Sequence, residues 1–381
     1  MKKLIAALLA AAILAGGAGV YAAGVLDGTS LVTLDYLKSI FLPDAAEQAE
    51  QRAEAGTQDV YDDALAGLED LQEGYLAQAG AADDRSYSPA LTDRRFKKGD
   101  VITLSAGSGW MPLAGSFQMS ASGPAVVDDT AGTTVPSGGA MTARHRYLAG
   151  EETSVAVTVA SDTAVLALEG YYDVTDGGGV DYNALADALF DLGLFQGSGL
   201  SYGSGYDLES TATRIMGVVM FLRLIGEEEA ALASTAENPF ADTPSWCDRY
   251  VAYAYEQGYT NGVGDAADGR LLFAPNRPIT ADEYLTLVLR ALGYSDSGAD
   301  PEFAWNTALE KSVDFGVLSS GERAMLEDGT FLRAQLVYVS YFSLNAPARE
   351  GGVLLDRTLS GGGLTQAQAQ AVMERVDVPR M

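Results

Sequence analysis

Apolar and polar positions change texture three times along the 381 residues. Behind Met1-Lys2-Lys3, an uncharged apolar run extends from Leu4 to Leu26. The short basic flank and the small residues around Val20-Tyr21-Ala22 predict an export signal over residues 1–23, cleaved near Ala22. The run is also just long enough for a retained membrane anchor, which stays open. Over residues 24–82, Tyr61, Leu65, Leu68, Leu71, Tyr75 and Leu76 recur at helical spacing and predict an amphipathic helix. Packing on the next domain is the plain use of that face, and a stalk or oligomerisation helix the sharper one. Gly56, Gly67 and Gly74 weaken any long heptad pattern.

From residue 83 to 175 the chain turns to short strand-like runs, among them Val101-Ile102-Thr103-Leu104, residues 154–159 and residues 164–168. Gly, Ser, Pro and Asp separate them, with a turn at Pro136-Ser137-Gly138-Gly139. A small all-β domain, a sandwich or jelly-roll-like barrel, is predicted. Asp176-Gly177-Gly178-Gly179 reads as a linker. Beyond Asp181 the periodicity is helical, so the expected fold class is multidomain α+β.

The helical part repeats itself. Each unit has an aromatic residue, a helix that ends in glycine eleven or twelve residues later, a glycine-bounded turn, a loop and a second apolar helix containing arginine. Unit one shows Gly193-Leu194-Phe195-Gln196-Gly197 and then Thr213-Arg214-Ile215-Met216. Unit two shows Asn238-Pro239-Phe240-Ala241-Asp242, Trp246, Gly258-Tyr259-Thr260-Asn261-Gly262, Phe273-Ala274-Pro275, Thr280-Ala281-Asp282-Glu283 and Arg290-Ala291-Leu292-Gly293. Unit three shows Trp305, Gly316-Val317-Leu318-Ser319-Ser320-Gly321 and Leu332-Arg333-Ala334-Gln335. The second helices open at Thr213, Thr280 and Leu332, 67 and then 52 residues apart.

In these letters the chain resembles the S-layer homology (SLH) domain family. A unit of that family reads roughly Phe-x-Asp-Val, an aromatic helix, Gly-Ile-Ile-x-Gly, Phe-x-Pro, and Thr-Arg-Ala-Glu opening a helix that ends Arg-x-Leu-Gly. Unit two matches nearly all of this; units one and three match the spacing with weaker letters. The resemblance covers about residues 178 to 350, as units of about 178–237, 238–297 and 298–350, ahead of a C-terminal tail helix over 351–381.

The resemblance implies one pseudo-threefold all-α domain that binds secondary cell-wall polysaccharide, often pyruvylated, in grooves between units. Carried over by position, the implied contacts are Arg214 and Arg333, the turns at Gly193/Gly197, Gly258/Gly262 and Gly316, and Trp246 and Trp305. Unit two carries Ala281 where the motif has arginine. Physical chemistry is compatible with this. A ketal carboxylate suits a bidentate guanidinium, glycine lets a sugar approach the backbone, and an aromatic face covers a pyranose. The same residues also have purely structural uses. Thr280-x-x-Glu283 is a capping box, a glycine after a helix is a C-cap, and the two tryptophans fall on the apolar faces of their helices. Arg214 and Arg333 stand apart, because the macrodipole opposes a cation in a first helical turn. Their placement serves either a ligand or an ion pair.

Composition narrows the function further. With 24 Lys+Arg against 52 Asp+Glu and a net charge of −28, nonspecific nucleic-acid binding is excluded. One cysteine, Cys247, and one histidine, His145, exclude an internal disulfide, a cysteine zinc cage, an iron–sulfur cluster and any site with two imidazoles. Cys247 reads as a buried small hydrophobe. His145 between Arg144 and Arg146 is a weak anion candidate, and Asp128-Asp129 or Asp173/Asp176 could hold calcium, without EF-hand spacing. No cofactor or metal site is assigned. The β region is too short for most carbohydrate-active catalytic folds. The expectation is therefore a secreted, noncatalytic bacterial surface protein, anchored by its repeats to wall glycan and displaying the β domain. An S-layer-like structural or adhesive protein, self-assembling through the N-terminal helix or the β domain, is the alternative; a wall-anchored hydrolase is the third reading.

Overall fold

A computed structural model describes residues 34–78, 85–327 and 329–381. The expected signal or anchor over 1–23 lies outside them. The chain divides into two units, one ending at Ala77 and the other running Gln78–Met381.

The first unit is dominated by α1 (Leu42–Gln78). Its Ala, Glu, Gln and Leu content favours helix, and pairs such as Gln48–Asp44 and Gln58–Asp62 link successive turns. Gly56, Gly67 and Gly74 each face open space. At 1.5 Å per residue the helix is about 55 Å long. Val60, Tyr61, Leu65, Leu68, Leu71, Tyr75 and Leu76 are all exposed. No described helix is long and apolar enough to cross a membrane.

The second unit begins with nine antiparallel strands, β1 (Ser86–Lys97), β2 (Val101–Leu104), β3 (Gly109–Ala114), β4 (Phe117–Ser122), β5 (Val126–Asp128), β6 (Thr133–Val135), β7 (Tyr147–Ala149), β8 (Ser154–Val159) and β9 (Thr163–Thr175). Where a sandwich or jelly-roll-like barrel is expected, all nine strands belong to one curled, hydrogen-bonded antiparallel sheet. The long strand β9 explains how. β1 pairs along one edge, while β3 pairs with residues 165–169 and β2 with residues 172–175 of the other edge. Two wings, β2-β8-β4 and β3-β7-β5-β6, thus spring from the same edge and curl over a shared core. Ile102, Leu104, Val155 and Val157 enter it from one wing, Trp110, Val126 and Tyr147 from the other. Gly170, at φ +82, sits where the wings divide; a Cβ there would come within 2.7 Å of the Ser108 hydroxyl. Only glycine allows the β2–β3 turn to approach so closely.

Helices α2 (Tyr182–Asp191), α3 (Arg214–Leu224), α4 (Glu228–Ala233), α5 (Asp248–Glu256), α6 (Ala281–Ala291), α7 (Ala308–Asp314), α8 (Ser320–Glu327), α9 (Arg333–Ser343), α10 (Leu354–Ser360) and α11 (Gln366–Met373) follow. They share one continuous apolar core, in which α3, α6 and α9 are the most deeply buried. Two expectations change here. The tail is two helices rather than one, because Gly361-Gly362-Gly363 interrupts it and Thr365 caps a new start. Leu354, Leu355, Ala369 and Val372 bury both pieces in the core. The glycine stretch at 177–179 is not a free linker either: a Cβ on Gly179 would lie 2.4 Å from the Lys98 carbonyl oxygen. Strands and helices are fastened together by the bidentate Arg95–Asp187 pair at 2.9–3.0 Å and by Gln335 donating to Asp162 at 3.0 Å.

Candidate functional site

Two junctions between repeat units are built alike. The extended residues before α3 lie between those before α6 and α9, through the bridges Thr213↔Pro278 and Thr211↔Leu332. The first N–H groups of α3 have no partner inside the helix. Arg214 and Ile215 therefore donate to the carbonyls of Arg277 (3.0 Å) and Pro275 (3.2 Å) in unit two. At the start of α9, Arg333 and Ala334 donate in the same way to Ser210 (2.9 Å) and Leu208 (3.1 Å) in unit one. The side chains repeat the pattern. Arg214 Nε donates to the Phe273 carbonyl at 2.9 Å, and Arg333 Nε to the Tyr206 carbonyl at 2.9 Å. The guanidinium of Arg214 stands 5.1 Å from the Phe273 ring centroid, and that of Arg333 stands 5.3 Å from that of Phe195. Ala274 and Asp207, each one residue beyond the accepting carbonyl, both take φ 57. Burial lowers the pKa of both arginines.

The two junctions differ in what neutralises the cation. Arg214 Nη1 pairs with Glu283 at 3.1 Å. Arg333 Nη1 instead meets the Met216 sulfur at 3.2 Å, and its Nη2 reaches the Gln196 carbonyl at 3.3 Å. Among the described residues no carboxylate lies within ion-pairing distance of Arg333. Although only 3% exposed, Arg333 lines a cavity of about 340 Å³ together with Phe195, Gln196, Gly197, Met216, Met220 and Trp246. This cavity brings together Arg333, Gly197 and Trp246 of the sequence-derived candidates. Arg214, Gly193, Gly258, Gly262, Gly316 and Trp305 do not line it.

The tryptophans are a correction. Instead of core positions, Trp246 is 62% exposed and Trp305 is 61% exposed. Each precedes its regular helix, Trp246 in the turn before α5 and Trp305 in a 3-10 turn (Trp305–Thr307) before α7. There the 3.6-residue phase does not yet hold, and Cys247 and Ala308 take the buried places. The glycines divide by role. Gly193, Gly258 and Gly316 follow α2, α5 and α7 with φ between +71 and +75, the C-cap geometry. Gly262 is held by space as well, since a Cβ would lie 2.6 Å from both the Leu272 carbonyl oxygen and the Phe240 ring. Gly197 has no positive φ, but its Cβ would lie 2.2 Å from the Gly205 carbonyl oxygen.

At the third junction Ala281 supplies no guanidinium. A groove of about 470 Å³ lies there, and its Arg323 is paired with Glu327 at 2.8 Å. Met216 escaped the sequence reading; its signal was the last letter of Thr-Arg-Ile-Met, where the family motif has glutamate. Elsewhere, His145 Nδ1 lies 2.8 Å from Asp128, and Arg146 is held by Glu169 and Asp129. Among the described residues no group of three or more His, Cys, Asp or Glu could hold a metal ion. Cys247 is buried, its thiol pushed up to about 11 by burial and by the nearby Asp248.

No family model matches the chain. It is 26% identical over 169 residues to a cell surface protein of Thermoanaerobacter kivui, a stretch that is 44% of this chain and 20% of that protein. It is also 29% identical over 145 residues to the middle cell wall protein of Brevibacillus brevis, 37% of this chain and 12% of that protein. The chain spans a fifth or less of the length of either relative. These similarities support kinship with proteins of the cell surface and cell wall.

Proposed function

We infer that this is a noncatalytic cell-surface protein whose helical repeats form an SLH-like, pseudo-threefold domain that docks on secondary cell-wall polysaccharide and displays the β module. The observation that carries this reading is the buried guanidinium of Arg333, on which Asp207 and Glu209 act only from beyond ion-pairing distance, facing a cavity with the exposed Trp246 at its rim. A ketal carboxylate on a pyruvylated sugar would meet the guanidinium while Trp246 covers the ring, and Gly197 keeps the neighbouring backbone accessible. The names of the two relatives favour a wall or surface location. The test is co-sedimentation of the full chain with isolated Gram-positive sacculi before and after acid removal of the secondary polymer. Binding lost on stripping supports the reading; equal binding to stripped walls, or none to several pyruvylated walls, refutes it.

One observation favours a second role beside the first. The apolar row along α1 is exposed, and self-assembly through that helix would cover it, as in an S-layer-like structural protein.

A further inference from the structure

The arginine near the end of each unit's second helix has a fixed seat in the fold. Arg223 and Arg290 are the tenth residues of α3 and α6. Each lays Nε and Nη2 side-on against one carboxylate, Arg223 on Glu228 at 2.9 and 2.8 Å and Arg290 on Asp296 at 2.9 and 2.6 Å. Arg290 also donates from Nη1 at 2.5 Å to the carbonyl of Tyr259, the residue after the capping Gly258. The tenth residue of α9 is Phe342, which offers no guanidinium. Unit three nevertheless holds one. Arg380, beyond the end of α11 at Met373, sets Nε and Nη2 on Glu322 at 2.7 and 2.8 Å, with its guanidinium 5.7 Å from the Phe342 ring centroid. It also donates at 2.5 Å to the carbonyl of Val317, the residue after the capping Gly316. Arg380 thus occupies in unit three the seat that Arg290 occupies in unit two.

Every accepting group of this seat belongs to unit three. Glu322 is fully buried, and its two oxygens are oriented by the Ser319 N–H at 2.6 Å and the Tyr338 hydroxyl at 2.9 Å. The donor alone comes from outside the repeats, on a non-helical segment. Along it Arg375 pairs with Asp191 at 2.9 Å, Val376 and Val378 pack against the core, and Met381 exchanges backbone hydrogen bonds with the hydroxyls of Tyr338 and Ser319. We propose that unit three carries a binding slot for an arginine presented on a peptide segment, filled here by the chain's own residues 376–381 in place of the helix-end arginine that the unit lacks. A lysine cannot copy the side-on pair, so the slot selects a guanidinium. Covalent attachment raises the local concentration of the segment without adding a contact. Recognition is therefore the same for a segment of the same chain and for that of a second copy. None of Val317, Glu322, Tyr338 and Phe342 lines the Arg333 cavity, so the slot stands apart from the wall-binding reading.

The test is fluorescence anisotropy with a labelled peptide of residues 374–381, in which two acids balance two arginines, added to the full chain and its variants. The peptide binds Arg380→Ala saturably and at least tenfold more tightly than it binds the unmodified chain, whose slot is filled. Arg380→Lys in the peptide weakens this binding at least tenfold, and so does Glu322→Gln added to the Arg380→Ala chain. A second arm needs no peptide. Phe342→Arg returns the arginine to its helix position, and in the Arg380→Ala chain it restores at least half of the lost melting temperature. No saturable binding to Arg380→Ala, equal binding to the unmodified chain, equal binding of the lysine peptide, or no recovery with Phe342→Arg would overturn the proposal. Sedimentation velocity identifies the source of the segment. A monomer fills its own slot, whereas a dimer that Arg380→Ala dissociates is joined by exchanged segments.

Discussion

At the scale of single residues, a buried charge depends on the partners that satisfy it. Glu322 is fully buried and accepts from Arg380 (2.7 and 2.8 Å), the Tyr338 hydroxyl (2.9 Å) and the Ser319 N–H (2.6 Å). Arg380→Ala strands that carboxylate. Because Arg380 is itself about a third exposed, the expected loss is roughly 2 kcal/mol, below that of a fully buried pair, and urea unfolding measures it. Gly193 and Gly262 have similar φ but different surroundings. Gly193→Ala should cost about 1 kcal/mol from left-handed strain alone, whereas Gly262→Ala also drives a methyl into the Leu272 carbonyl and should cost more than about 2 kcal/mol. Equal melting points for the two variants would contradict that assignment. The arginines and glycines were legible in the sequence because motif spacing marks them. The exposure of the tryptophans was not, since helical phase fails in the turn before a helix, and Met216 mattered through a partner 117 residues away.

Whole elements depend on their ends and on close approaches more than on intrinsic preference. α6 opens with a complete capping box, the Thr280 hydroxyl accepting the Glu283 N–H at 3.2 Å while Glu283 accepts the Thr280 N–H. Thr280→Ala should lower stability by about 1 kcal/mol without altering wall binding, as thermal melts and co-sedimentation would show together. The alternating apolar residues of β2 and β8 were legible as strands. Their union with the other wing into one sheet was not, because it depends on β9 serving two partners on one edge and on Gly170 admitting Ser108, a non-local contact. The split of the tail into α10 and α11 was written in three successive glycines and the Thr365 cap, which helical periodicity alone overlooks.

For the molecule as a whole, the excess of acid sets two salt responses of opposite sign. Residues 44–80 hold ten acids and one base, so self-association through α1 works against like-charge repulsion. It should strengthen as salt rises to 0.5 M, read by sedimentation velocity. Attraction between Arg333 and a glycan carboxylate should weaken over the same range. The central claim is that one groove, bounded by Arg333 and Trp246, holds the wall polymer. The most direct measurement is a binding isotherm of acid-released wall polysaccharide to the full chain and to Trp246→Ala and Trp305→Ala, two equally exposed tryptophans whose removal leaves the core intact. A loss of tenfold or more for Trp246→Ala with Trp305→Ala unchanged is the predicted result; equal losses, or no loss in either, would contradict it.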